Sequence, residues 1–178
     1  MDPSWPPMVR RGHEVTLDAV RRFERQLGHE LPEDYRRFLL EINGGLTARS
    51  HRTFVMERAG RRDETNLNTL FSLDDPDESR DLATWQRYGE DHLLGGLEVG
   101  VDGFGSPIVL VLAGPHRGEV WMLDRVDIEE DRPVVEWFDR RDVWKLAGSF
   151  AEFIAGLRPL DDDTTGVSAT PGREPRCL

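Results

Sequence analysis

The chain has 178 residues, 38% of them hydrophobic and 32% charged, and its 34 acidic against 23 basic side chains leave a net charge of −11. That length suits one domain with tails, and no apolar run approaches the roughly 18 residues that would cross a bilayer, so no membrane association is expected. The acidity opposes attraction to phosphate backbones, which argues against direct nucleic-acid binding and for a basic partner.

The N-terminal MDPSWPPMVRRGHEV lacks the apolar segment and small-residue cleavage site of a secretion signal, so a cytoplasmic location is expected. Pro3, Pro6 and Pro7 make residues 1–13 an irregular arm, with Trp5 able to dock on the body. From Thr16, the expected N-cap, Val20, Phe23 and Leu27 recur at helical spacing and Gly28 supplies the stop, which predicts a helix over 16–28.

Residues Leu31 to Gly45, LPEDYRRFLLEINGG, carry the densest signal. Pro32 suits a first helical turn, and Glu33 and Asp34 put negative charge at the positive end of the helix dipole. Tyr35, Phe38, Leu39 and Ile42 fall at i, i+3, i+4 and i+7, while Arg36, Arg37 and Glu41 take the opposite face. Asn43, Gly44 and Gly45 adopt left-handed backbone cheaply, so the predicted helix covers 32–43 and stops there.

Beyond it, Thr53–Met56 reads as a short strand inside an arginine-rich loop, and Leu70–Leu73 as another. The acidic turn Asp74, Asp75, Pro76, Asp77, Glu78 precedes a short helix suggested by Leu82, Trp85 and Tyr88. Leu97–Val101 and the apolar run Pro107–Leu112 flank Asp102, Gly103, Phe104, Gly105 and Ser106, a hairpin, and Val120–Leu123 returns as a third strand. Val134–Phe138 predicts a further strand, and connections this short imply an antiparallel sheet. Ser149 and Glu152 form a capping box ahead of Phe150, Phe153, Ile154 and Leu157, a closing helix over 149–157. Residues 161–178 hold almost no large apolar side chain, so they are expected to be a disordered tail. The expected fold is one α+β domain over 14–160, a twisted antiparallel sheet packed with helices.

This order of signals resembles the SUKH superfamily, specifically its Smi/Knr-like branch. The resemblance rests on Leu31, Pro32, Tyr35, Phe38, Leu39, Asn43, Gly44 and Gly45, then on Gly100, Asp102, Gly103 and Gly105 before an apolar strand, and on the terminal Ser-Phe-x-x-Phe helix. It spans residues 16–158, with 46–96 departing from the pattern. It implies a non-catalytic protein-binding module: an immunity protein that neutralises a polymorphic or contact-dependent bacterial toxin, often a nuclease, or a regulatory adaptor like the yeast members.

Individual motifs point the same way. Gly100, Gly103 and Gly105 fit neither phosphate-loop spacing and read as turn chemistry. His13, His29, His51, His92 and His116 are scattered, and Cys177 has no thiolate partner, so neither a metal nor another cofactor is expected. No nucleophile-elbow motif occurs, and an enzyme would need a site that these motifs do not announce. The arginines between Arg49 and Arg62 are expected to pair with the chain's own carboxylates. Two acidic runs remain, Asp74, Asp75, Asp77 and Glu78, and Asp127, Glu129, Glu130 and Asp131. They are either solvated loops or a steering surface for a basic toxin domain.

Overall fold

The computed structural model describes residues 5–58, 61–88, 95–123, 138 and 143–159. Asp127, Glu129, Glu130, Asp131, the expected strand at Val134–Phe138 except its last residue, and the tail at 161–178 lie outside the described residues.

Thr16 accepts a hydrogen bond from Ala19 N and opens α1 (Leu17–Leu27), which Gly28 closes at φ 69°. Helix α2 (Glu33–Glu41) is three residues shorter than its sequence signal, because Pro32 sits extended at the cap and Ile42 has already left helical geometry. Its stripe is buried throughout: Tyr35, Phe38, Leu39 and Ile42 are all core residues. The Asn-Gly-Gly stop is wholly left-handed, with φ of 55°, 75° and 107° at Asn43, Gly44 and Gly45.

Among the described residues the sheet is antiparallel throughout and has eight strands in the order β1-β2-β4-β5-β6-β7-β8, with β3 paired to β4 off that path. These strands are β1 (Met8–Arg11), β2 (Gly45–Thr47), β3 (Thr53–Arg58), β4 (Arg61–Leu70), β5 (Gly96–Asp102), β6 (Pro107–Val111), β7 (Val120–Leu123) and β8 (Val143–Ala147). Helix α3 (Leu82–Tyr88) follows the acidic turn, and α4 (Phe150–Ala155) closes the described domain.

Three differences from the sequence expectations share one cause, that strand pairing is settled by remote partners. The expected irregular arm contains β1, because its backbone pairs with β2 some 36 residues on (Arg10 with Leu46) and all three arm prolines precede it. Trp5 docks edge-on against Phe38 at 5.4 Å, and its indole N–H donates to Glu41. The strand expected within a charged loop is half of a hairpin, since β3 pairs with β4 from Thr53 opposite Asn66 to Arg58 opposite Arg61. Charged side chains do not oppose this pairing, because Glu57, Arg62, Asp63 and Glu64 all point to water. Likewise, the strand expected at Leu70–Leu73 is the end of β4, and it stops at Leu70.

β4 is the junction of the sheet. Its first half pairs with β3, and its second half pairs with β5 through Leu67, Thr69 and Leu70 and with β2 through Leu70. One sheet face carries the main core, where Tyr35 meets Phe150 at 4.7 Å and Phe38 meets it at 4.9 Å. The other carries a smaller cluster of Val109, Val111, Trp121, Leu123 and Val143, with Phe138 packed on it. β6 is therefore buried on both faces, which explains its uninterrupted apolar run. At α4, Ser149 accepts from Glu152 N while Glu152 reaches back to Gly148 N, and Asp34 of α2 accepts from Ala151 N at 2.8 Å. One carboxylate thus ties the start of α2 to the start of α4.

Candidate protein-interaction site

The acidic turn is a folded network. Asn43, 1% exposed, donates through its amide to His13 O (2.7 Å) and Leu73 O (2.9 Å) and accepts from Leu73 N (2.8 Å). It thereby pins the turn to the helix end and the arm. Asp74 follows at φ 56°. Asp75 accepts from Asp77 N, and Asp77 accepts from both the N–H and the hydroxyl of Ser79. Those Ser79 hydrogen bonds, with Arg80 nearby, hold the Asp77 carboxyl below the ordinary aspartate range. Arg80 lies 3.1 Å from Asp77 and 3.5 Å from Asp75, while Arg22 reaches Asp74 at 3.7 Å.

Asp81 completes the turn: it accepts from Thr84 N and Thr84 Oγ1, both at 2.8 Å, at the start of α3. The four predicted acids are thus brought together but are not equivalent. The Asp75 side chain is only 8% exposed and serves the turn, whereas Asp74 and Glu78 face water. Sequence reasoning missed Asp81 and Arg80; a Ser/Thr/Asp residue three positions before Thr84 was the available cap signal.

The β5–β6 turn sits against the middle of β4, at Thr65 and Asn66. Asp102 is 2% exposed; its Oδ1 accepts from Phe104 N (2.9 Å) and Ser106 N (2.8 Å), and its Oδ2 accepts from Thr65 Oγ1 (2.9 Å). Gly103 N donates to Asn66 O at 2.8 Å, a contact so close that a Cβ on Gly103 would fall 2.0 Å from Asn66 Oδ1. Gly100 is equally confined, its missing Cβ lying 2.4 Å from Thr69 O, and Gly105 needs its φ of 82°. The family-motif glycines at this hairpin are close-approach and turn positions. Phe104, at the tip, is 88% exposed.

Two further features lie on the body. Glu119 accepts from His116 Nδ1 (3.0 Å), Trp121 Nε1 (2.9 Å) and Lys145. Burial alone would raise its pKa, but the hydrogen bonds from Lys145, His116 and Trp121 together hold it below the ordinary value. A cleft of about 310 Å³ opens between β3, β8 and α4, with Phe54, Val55, Leu146 and Phe153 as its apolar lining. Of the arginines between 49 and 62, Arg62 lies 3.6 Å from Glu57, as expected, but Arg52 donates to the backbone carbonyl of Leu67. Among the described residues no group of three or more His, Cys, Asp or Glu side chains could hold a metal ion, and no helix is long and apolar enough to cross a membrane.

Residues 14–156 match the model of the SMI1 / KNR4 family (SUKH-1). The chain belongs to that family. The match spans both halves of the motif set, the Leu31–Gly45 helix with its stop and the Gly100–Gly105 hairpin, and confirms the resemblance drawn from them. SUKH domains are known from immunity proteins and related regulators that bind protein partners such as toxins. No curated protein matches this SUKH-1 chain.

Proposed function

We propose that this SUKH-1 protein is an immunity protein of the bacterial cytoplasm that neutralises a cognate toxin by stoichiometric binding rather than by catalysis. Family membership over residues 14–156 carries the reading. The net charge of −11 supports it, because a nuclease-type toxin domain must itself attract phosphate and so presents basic surface. Within the acidic turn, Asp74 and Glu78 are the exposed carboxylates, Asp74 with Arg22 3.7 Å away, whereas Arg80 offsets the less exposed Asp75 and Asp77. The role of that turn is to accelerate encounter, and neutralising Asp74 and Glu78 should slow association and flatten its salt dependence.

The test is affinity purification of the tagged chain from its native host, with mass spectrometry of what co-purifies at equal stoichiometry. Recovery of one basic domain that harms cells, and whose harm this chain suppresses, is the expected outcome. Recovery of regulatory proteins alone would overturn the immunity reading in favour of an adaptor.

A further inference from the structure

We propose that Phe104 is the apolar anchor of the partner interface, a ring held out on the rigid β5–β6 turn to enter an apolar socket on a basic protein domain. This rests on the partner-binding reading above and assigns it a contact point that the acidic turn alone does not supply.

Phe104 does nothing for the fold. It is 88% exposed, the most exposed large hydrophobic side chain among the described residues, and belongs to neither core cluster. Singly exposed apolar residues are ordinary on protein surfaces, so exposure by itself decides nothing. What sets Phe104 apart is the structure beneath it. Its own N–H is held by Asp102 Oδ1, the N–H of Ser106 by the same oxygen, Gly103 N by Asn66 O, and Gly105 N by Asp102 O at 3.2 Å.

Burying a carboxylate as deeply as Asp102 is unfavourable unless its lone pairs are filled, and a glycine-rich hairpin closes without one. Here the buried group fixes the backbone direction of the one Phe, Tyr or Trp ring that is exposed among the described residues. An anchor whose backbone is already ordered loses little entropy on binding, and a large ring presented this way has the character of an interface hot spot.

The chemistry of the occupant follows from charge. At −11 the surface repels nucleic acid, anionic membrane and a second copy of itself, and it favours a basic protein. A second copy offering its cleft beside Phe54 and Phe153 as the socket would have to bind against that repulsion.

A photo-crosslinking phenylalanine analogue placed at position 104 of the full chain in its native host tests the proposal, with the same analogue at Leu17, 41% exposed on α1, as control. The expected result is an adduct from position 104, not from 17, to a basic protein. Against that purified protein, Phe104→Ala should weaken binding at least about 30-fold while Phe104→Trp retains most of it. The melting temperature of Phe104→Ala should stay within about 2 °C of wild type, as for other surface changes. A basic adduct that proves harmless to cells would keep Phe104 as the anchor and sink the toxin reading. No adduct from position 104 above the control, an adduct to a second copy, or an unchanged Kd for Phe104→Ala would overturn the anchor and leave the immunity reading standing.

Discussion

Asn43→Ala should be among the most destabilising single changes outside the aromatic core. The side chain makes three hydrogen bonds, to His13 O, Leu73 O and Leu73 N, all within 2.9 Å and in a residue that is 1% exposed. Each is worth about 1 kcal/mol net, and the buried Leu73 N–H left without an acceptor adds a desolvation penalty of the order of 1–3 kcal/mol. Alanine at φ 55° adds about 1 kcal/mol of backbone strain that asparagine tolerates better. The sum is roughly 5–7 kcal/mol, or about 10–28 °C in Tm for a domain of this size.

Urea titration of Asn43→Ala, Asn43→Gly and Asn43→Asp separates these contributions. Glycine relieves the strain but not the lost bonds, so it should recover only about 1 kcal/mol over alanine. Aspartate keeps an acceptor for Leu73 N but aims a carboxylate at two carbonyl oxygens, so it should fall at or below alanine. A loss under about 1 kcal/mol for Asn43→Ala would refute the idea that this amide locks arm, helix end and acidic turn together. Equal stabilities for the alanine and glycine variants would instead remove the strain contribution.

Phe38→Ala empties a fully buried site between Trp5, Tyr35 and Phe150 and should cost about 3–5 kcal/mol; an unchanged Tm would refute the buried stripe. Gly44→Ala should destabilise far more than Gly28→Ala, although both have positive φ, because a Cβ at 44 meets Phe71 O at 2.3 Å and one at 28 meets nothing within 4 Å. Equal losses in thermal denaturation would show that φ alone matters. Glu119, whose folded pKa is depressed, contributes stability that is present in full above its ordinary value of 4.5 and is lost as the pH falls through its lower folded value. Glu119→Gln should therefore be less stable than wild type at neutral pH and show a shallower loss of Tm on acidification below about pH 4.5, and parallel acid profiles would contradict this.

Much of the fold was legible because its signals are short-ranged. The Leu31–Gly45 stretch announces its helix through a four-residue stripe, and the stop through three residues that accept left-handed backbone. Ser149 and Glu152 announce α4, and the Asp102–Ser106 turn announces the β5–β6 hairpin. The site was less legible. Asp74, Asp75, Asp77 and Glu78 read as four equivalent negative charges, yet Arg80 and Ser79 engage Asp75 and Asp77, Arg22 lies near the exposed Asp74, and Glu78 faces water. Phe104 reads as one residue of a permissive turn, and only its surroundings show that it is the exposed one. β8 was not expected as a strand, since Val143 and Trp144 serve opposite faces of the sheet and so present no local alternation of apolar and polar residues.

By itself, then, the sequence determined the helices, their stops, the hairpin glycines and the family, because each is written in contacts within about one to four turns of chain. The tertiary structure decided which strands pair, and which charges and rings remain outside. β1 becomes a strand only because Gly45–Thr47 arrives beside it, and β4 splits its pairing between β3 and β5, with a register shift against β5 between Leu67 and Thr69. Such outcomes depend on backbone partners dozens of residues apart, and no local pattern of side chains encodes which partner will come.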